Sequence, residues 1–128
     1  MYELKVVTQF AAAHHLRSFR GKCESLHGHN WKVEVVIRGK DLDESGVVVD
    51  FAEIKTATSE VLIELDHRYL NEVPFFATHN PSSENIARYL FQRLSERLND
   101  PRVMVTRVSA WESEDACATY LSESVPLG

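Results

Sequence analysis

Every second residue from Leu4 to His14 (Leu4, Val6, Thr8, Phe10, Ala12 and His14) shares one parity, and most of these side chains are apolar or small. A period of two predicts a strand over residues 2–15 with one buried face. Residues 18–22 read as a loop broken by Gly21. Alternation then returns more cleanly: His27, His29, Trp31, Val33, Val35 and Ile37 share one parity, while Asn30, Lys32, Glu34 and Arg38 hold the other. Gly39 to Gly46 is a turn-rich connection, and Val47-Val48-Val49 reads as a short strand. The period then lengthens. Phe51, Ile54, Val61, Leu62 and Leu65 recur at helical spacing behind Asp50, a helix N-cap with Glu53 three residues on as a capping box requires. Pro81-Ser82-Ser83-Glu84 opens a second helix with the stripe Ile86, Leu90, Leu94 and Leu98, and Asn99-Asp100-Pro101 stops it. Residues 103–112 return to β character, and Ala116 to Leu121 pairs back across a turn at Ser113-Glu114-Asp115. This order, without strict strand–helix alternation, predicts an α+β fold around an antiparallel sheet.

Composition narrows the function classes. A chain of 128 residues, 44% hydrophobic and 26% charged, is read as a single domain over 1–128 that can bury a core without disulfide staples. Its net charge of −5, with basic residues scattered among acidic ones, argues against a nucleic-acid platform. No apolar run is long enough to span a bilayer, and Met1-Tyr2-Glu3-Leu4 has no signal-peptide layout, so the expectation is a cytoplasmic protein with no membrane partner. Cys23 and Cys117 are then expected to remain thiols.

The candidate chemistry gathers on histidines. Two of them at i and i+2 in a strand project from one face, so His27 and His29 point to the covered side of the sheet, near its end. A lone His-x-His pair also fits a turn at Gly28 with ring hydrogen bonds to the backbone. His14 sits on the apolar parity at the end of the first strand, where an antiparallel neighbour brings it opposite the pair. His15 has the other parity, and neither it nor His79 is given a role. Three neutral imidazoles suit zinc with a fourth position left for water or substrate, which is a catalytic layout. Cys23 competes for that position. As a ligand it closes the site; beside the ion its thiol is acidified and becomes a usable base. Cys117, in an apolar run, reads as a buried thiol. Asp66-His67 is either a carboxylate orienting an imidazole for proton transfer or a helix-terminal acid beside a solvent histidine. Glu112 shares the parity of Met104, Thr106, Val108 and Ala110. It is either an acceptor for the paired N–H donors of an amino-pyrimidinone edge or a strand-end charge in water.

Taken together, these residues resemble the 6-pyruvoyltetrahydropterin synthase superfamily, and within it the 6-carboxytetrahydropterin synthases of the queuosine pathway. Phe10-Ala11-Ala12-Ala13-His14 and Leu26-His27-Gly28-His29-Asn30 are similar to its zinc-ligand segments. Gly46-Val47-Val48-Val49-Asp50-Phe51 resembles the entry to its first helix, Leu65-Asp66-His67-Arg68-Tyr69-Leu70-Asn71 its Asp-His stretch, and Asn80-Pro81-Ser82-Ser83-Glu84-Asn85 the start of its second helix. Trp111-Glu112-Ser113 stands where the family carries a pterin-anchoring glutamate. The three residues between Cys23 and His27 match the carboxy-forming group, whereas animal-type pyruvoyl-forming enzymes carry a longer gap. Ser83 and Ser113 replace a common threonine. The resemblance implies a T-fold: a four-stranded antiparallel sheet with two helices packed on one face, assembled into an oligomeric barrel. It further implies a homohexamer of two trimers with active sites between subunits and a small-molecule pterin substrate. Zn2+ is expected on His14, His27 and His29, with Cys23, Asp66 and His67 catalytic and Glu112 holding the pterin.

Overall fold

The computed structural model describes residues 1–18 and 25–123. Strand β1 (Tyr2–His14) pairs antiparallel with β2 (His27–Gly39), which pairs with β4 (Val103–Ser113), which pairs with β5 (Ala116–Leu121). Instead of the four strands expected, the described residues form five, in the order β3-β1-β2-β4-β5. The additional strand, β3 (Arg68–Tyr69), has two residues and runs parallel to β1 against Ala12 and Ala13. A segment this short has no period to read. It is held by the main chain, with His67 N donating to Ala11 O at 2.6 Å.

The parity read from the sequence becomes the core. Val6, Phe10, Ala12 and His14 of β1 and Trp31, Val33, Val35 and Ile37 of β2 are buried on one face. Helices α1 (Phe51–Leu62) and α3 (Ser83–Leu98) supply Ile54, Val61, Ile86, Leu90 and Leu94 to the same core. Asp50 caps α1 as expected, its carboxylate accepting from Ala52 N at 2.9 Å. Ser82 caps α3 by accepting from Asn85 N at 3.1 Å. A third, five-residue helix α2 (Pro74–Thr78), with Pro74 at its start, was too short to leave an apolar stripe.

Val47-Val48-Val49 is not a strand. Asp43 uses up the backbone of Val47: its N–H donates to Val47 O at 2.9 Å and its carboxylate accepts from Val47 N at 3.1 Å. Val48 is nevertheless buried, packed against Gly39, where a Cβ would stand 2.5 Å from the Val48 side chain. Cys117 is exposed instead of buried, because β5 is an edge strand whose side chains are all exposed or half-buried. Among the described residues no helix is long and apolar enough to cross a membrane.

Candidate metal centre

The β1–β2 register sets His14 opposite His27 and Ala12 opposite His29, so all three imidazoles leave the sheet on its covered face. Ala12 offers only a methyl group, which leaves room for the His29 ring. The ring centroids lie 4.6 Å apart for His14 and His27, 5.2 Å for His14 and His29, and 4.6 Å for His27 and His29. His14 is 2% exposed and packs edge-on against Trp31 at 5.1 Å.

Two tautomers are fixed by carbonyl oxygens, which can only accept. His14 Nδ1 donates to Pro81 O at 2.7 Å, and His27 Nδ1 donates to Ser25 O at 2.9 Å. Each ring therefore turns its Nε2 lone pair toward the common centre, as metal-ligating histidines do. His14 Nε2 is buried with no hydrogen-bond partner. A buried acceptor without a donor costs about 1–3 kcal/mol, and a bound cation would remove that cost. The donor set thus fits a metal ion.

A fourth donor joins them. Glu112 Oε1 lies 3.5 Å from His14 Nε2, 3.8 Å from His27 Nε2 and 3.0 Å from His29 Nε2. The four ligand atoms lie within 4.8 Å of one another. The strand parity of Glu112, which also allowed a strand-end charge in water, holds only in part. A bulge at Thr106 (Val36 pairs with Arg107, Ile37 with Val105) reverses the parity of β4, so Glu112 shares its face with Val105, Val108 and Ala110, not with Met104. A second register shift, between Trp111 and Ser113, leaves Glu112 without a partner in β5.

The exit of β1 is clamped by residues that carried no signal of their own in the sequence pattern. Asn71 Oδ1 accepts from His15 N at 3.0 Å while its Nδ2 donates to His15 O at 2.9 Å. Asn80 treats Arg17 in the same way, at 2.9 and 2.8 Å. His15 is thereby turned outward to Tyr69, whose Oη stands 2.7 Å from His15 Nδ1. The Pro81 carbonyl belongs to the Asn80-Pro81 turn, so one loop holds both the His14 ring and the chain just beyond it.

Asp66 and His67 lie elsewhere, at the β3 edge of the sheet. Asp66 Oδ1 accepts from Ala11 N at 2.9 Å and contacts His67 Nδ1 at 3.1 Å. The Ala11 hydrogen bond, helped by His67, holds the Asp66 carboxyl below its ordinary value. The His67 side chain is 82% exposed. Its backbone is left-handed, φ 57°, which turns the chain into β3. His67 joins Ala11, Ala13, Gly28 and Asn30 along a shallow groove of about 540 Å3. Cys23 lies outside the described residues.

The 6-pyruvoyl tetrahydropterin synthase family matches residues 3–123. The chain belongs to that family. An Archaeoglobus fulgidus protein provisionally named a 6-carboxy-5,6,7,8-tetrahydropterin synthase is 42% identical over 88% of this chain and 90% of its own. A Pyrococcus furiosus dihydroneopterin monophosphate aldolase is 37% identical over 83% of this chain and 85% of its own. The solved structure of Caenorhabditis elegans 6-pyruvoyl tetrahydropterin synthase superposes with a TM-score of 0.82 at 32% identity, covering 95% of this chain and 96% of that one. The chain is thus a tetrahydropterin-synthase-family protein of the T-fold type, and its histidine cluster stands in a family of enzymes acting on pterins.

Proposed function

We propose that this protein is a zinc-dependent 6-carboxy-5,6,7,8-tetrahydropterin synthase. It converts 7,8-dihydroneopterin triphosphate, with uptake of one water, to 6-carboxytetrahydropterin, acetaldehyde and triphosphate. The observation that carries this reading is the convergence of His14, His27 and His29 with two of their rings tied by Nδ1 to carbonyl oxygens. The short Cys23–His27 spacing and the name of the archaeal relative favour the carboxy-forming outcome.

His14, His27 and His29 would hold the ion. Bound there, zinc supplies a Lewis acid that acidifies the side-chain hydroxyls of the substrate. Glu112 receives the amino-pyrimidinone edge of the ring and fixes the reacting carbons beside the histidines. Cys23, as thiolate, takes a proton from the substrate side chain. His67, oriented by Asp66 through the 3.1 Å contact, moves protons on the other face. With its side chain so exposed, His67 is proposed to serve the histidine cluster of a neighbouring subunit, in a homohexamer of two trimers. A cytoplasmic enzyme of queuosine biosynthesis is the setting this implies.

A second reading is supported by the similarity to the nematode enzyme: elimination of triphosphate without carbon–carbon cleavage, giving 6-pyruvoyltetrahydropterin. A third, of another class, is a closed structural zinc without catalysis. Incubation of the zinc-loaded protein with 7,8-dihydroneopterin triphosphate, with products identified by mass, decides among them. Acetaldehyde together with the 6-carboxy product is expected. A pyruvoyl product moves the assignment to the second reading, and unchanged substrate moves it to the third.

A further inference from the structure

The distances around Glu112 say which place its carboxylate occupies. Nitrogen and oxygen ligands held at about 2.0–2.2 Å around a tetrahedral ion stand about 3.4 Å from one another. Glu112 Oε1 lies 3.5, 3.8 and 3.0 Å from the three Nε2 atoms. These separations bracket the edge of such a tetrahedron, and all four atoms lie within 4.8 Å of one another, so the oxygen fits a corner with the centre left for the ion. A carboxylate standing in for the ion among protonated rings would approach them to about 2.7–2.9 Å. Two of the three separations lie well beyond that.

We propose that Glu112 is a fourth, displaceable metal ligand: it closes the centre at rest and leaves it when the pterin ring claims its carboxylate. The displacement half rests on the proposed function, because it needs a pterin as the competitor. The two posts exclude each other. A carboxylate that accepts the two parallel N–H donors of an amino-pyrimidinone edge stands at the end of the ring remote from the hydroxylated side chain, so it cannot hold that edge and stay at the ion while the side chain reaches it. Withdrawal of Glu112 to the ring would leave a corner free for the hydroxylated side chain. With the anionic carboxylate gone, an ion held by His14, His27 and His29 would be the stronger Lewis acid toward those hydroxyls.

The local structure suits a moving part. The Glu112 side chain is 40% exposed where that of His14 is 2% exposed. Its residue sits in a bulge with no β5 partner, so the strand ladder does not fix its direction. His14 and His27 have less freedom, because the Pro81 and Ser25 carbonyls hold their rings.

Co2+ is the probe, since it takes the same nitrogen and oxygen donors and reports its coordination in the visible spectrum. Metal-free protein, as wild type, Glu112→Gln and Glu112→Ala, is titrated with Co2+, then with unsubstituted pterin to saturation of the pterin's own fluorescence change. Both variants are expected to bind Co2+ at least about tenfold more weakly than wild type. Pterin should shift the wild-type spectrum toward that of the Glu112→Ala protein and leave the Glu112→Ala spectrum unchanged. Equal Co2+ affinity in all three proteins overturns the ligand assignment. A wild-type spectrum indifferent to saturating pterin, or a pterin that does not bind, overturns the displacement. The wild-type arm needs no variant to fold. No arm measures turnover of the triphosphate, so an error in the reaction assignment leaves these outcomes readable on their own.

Discussion

Strand β1 carries both halves of the candidate chemistry and builds them by different means. On its covered face His14 is almost wholly buried, packed on Trp31 and pinned by the Pro81 carbonyl. Along its β3 edge, Asp66 and His67 are tied to the backbone of Ala11 and, through the Asp66 N–H, to Leu62 O at the end of α1, and the imidazole is largely exposed. The first arrangement gathers four candidate donors within one chain. The second sets a carboxylate against an imidazole that faces solvent. A site fixed by packing suits an ion that must stay, whereas an exposed pair suits a partner that arrives with the substrate or with another subunit.

The largest expected effect comes from the packed half. His14→Ala should abolish stoichiometric zinc binding and destabilise the fold by about 2–4 kcal/mol, since a buried ring that fills the space beside Trp31 is lost. Elemental analysis and denaturant midpoints measure the two effects, and full zinc content in the variant would break the contrast. Asp66→Asn should behave in the opposite way. The amide oxygen can still accept from Ala11 N, so zinc content stays at wild-type level. Turnover should nevertheless fall by about 10²–10⁴, the usual worth of a positioned acid–base group. Loss of zinc in this variant would show that the edge and the cluster are one site.

The packed half was also the more legible from sequence. A period of two placed His14, His27 and His29 on one face with the core, because burial itself writes that pattern. Glu112 follows Val108 and Ala110, but the bulge at Thr106 and the shift beyond Trp111 break the period on either side of it, which no parity rule contains. The edge was legible as a motif and not as a structure. Arg68–Tyr69 is too short to show a period, and the clamps of Asn71 and Asn80 depend on contacts across more than fifty residues. Val47–Val49 misled for the converse reason. Three valines favour a strand intrinsically, but Asp43 had already claimed the hydrogen bonds that a strand would need.

The edge can be tested for strain more finely than the cluster. His67 holds a left-handed φ of 57°, a conformation that costs a residue with a Cβ about 1–2 kcal/mol and glycine almost nothing. Both His67→Ala and His67→Gly should lose turnover, yet the glycine variant should be the more stable by about 1 kcal/mol in spite of its more flexible unfolded chain. An alanine variant as stable as the glycine variant would mean that the turn is unstrained.

The smallest effect is in the pH dependence of Asp66. Its folded pKa is depressed, chiefly by the Ala11 N–H, so the charge adds stability that is fully present above the unfolded value, near 3.9. That contribution disappears as pH falls through the lower folded value. Asp66→Asn cannot ionise, so its deficit against wild type should be constant at neutral pH and shrink toward zero in acid. Because the carboxylate is 41% exposed, added salt should also reduce the deficit. Denaturant midpoints of both proteins from neutral pH down to about pH 2 measure it. A deficit unchanged by acid would assign the Ala11 contact to hydrogen-bond geometry alone, and the open edge would then owe nothing to charge.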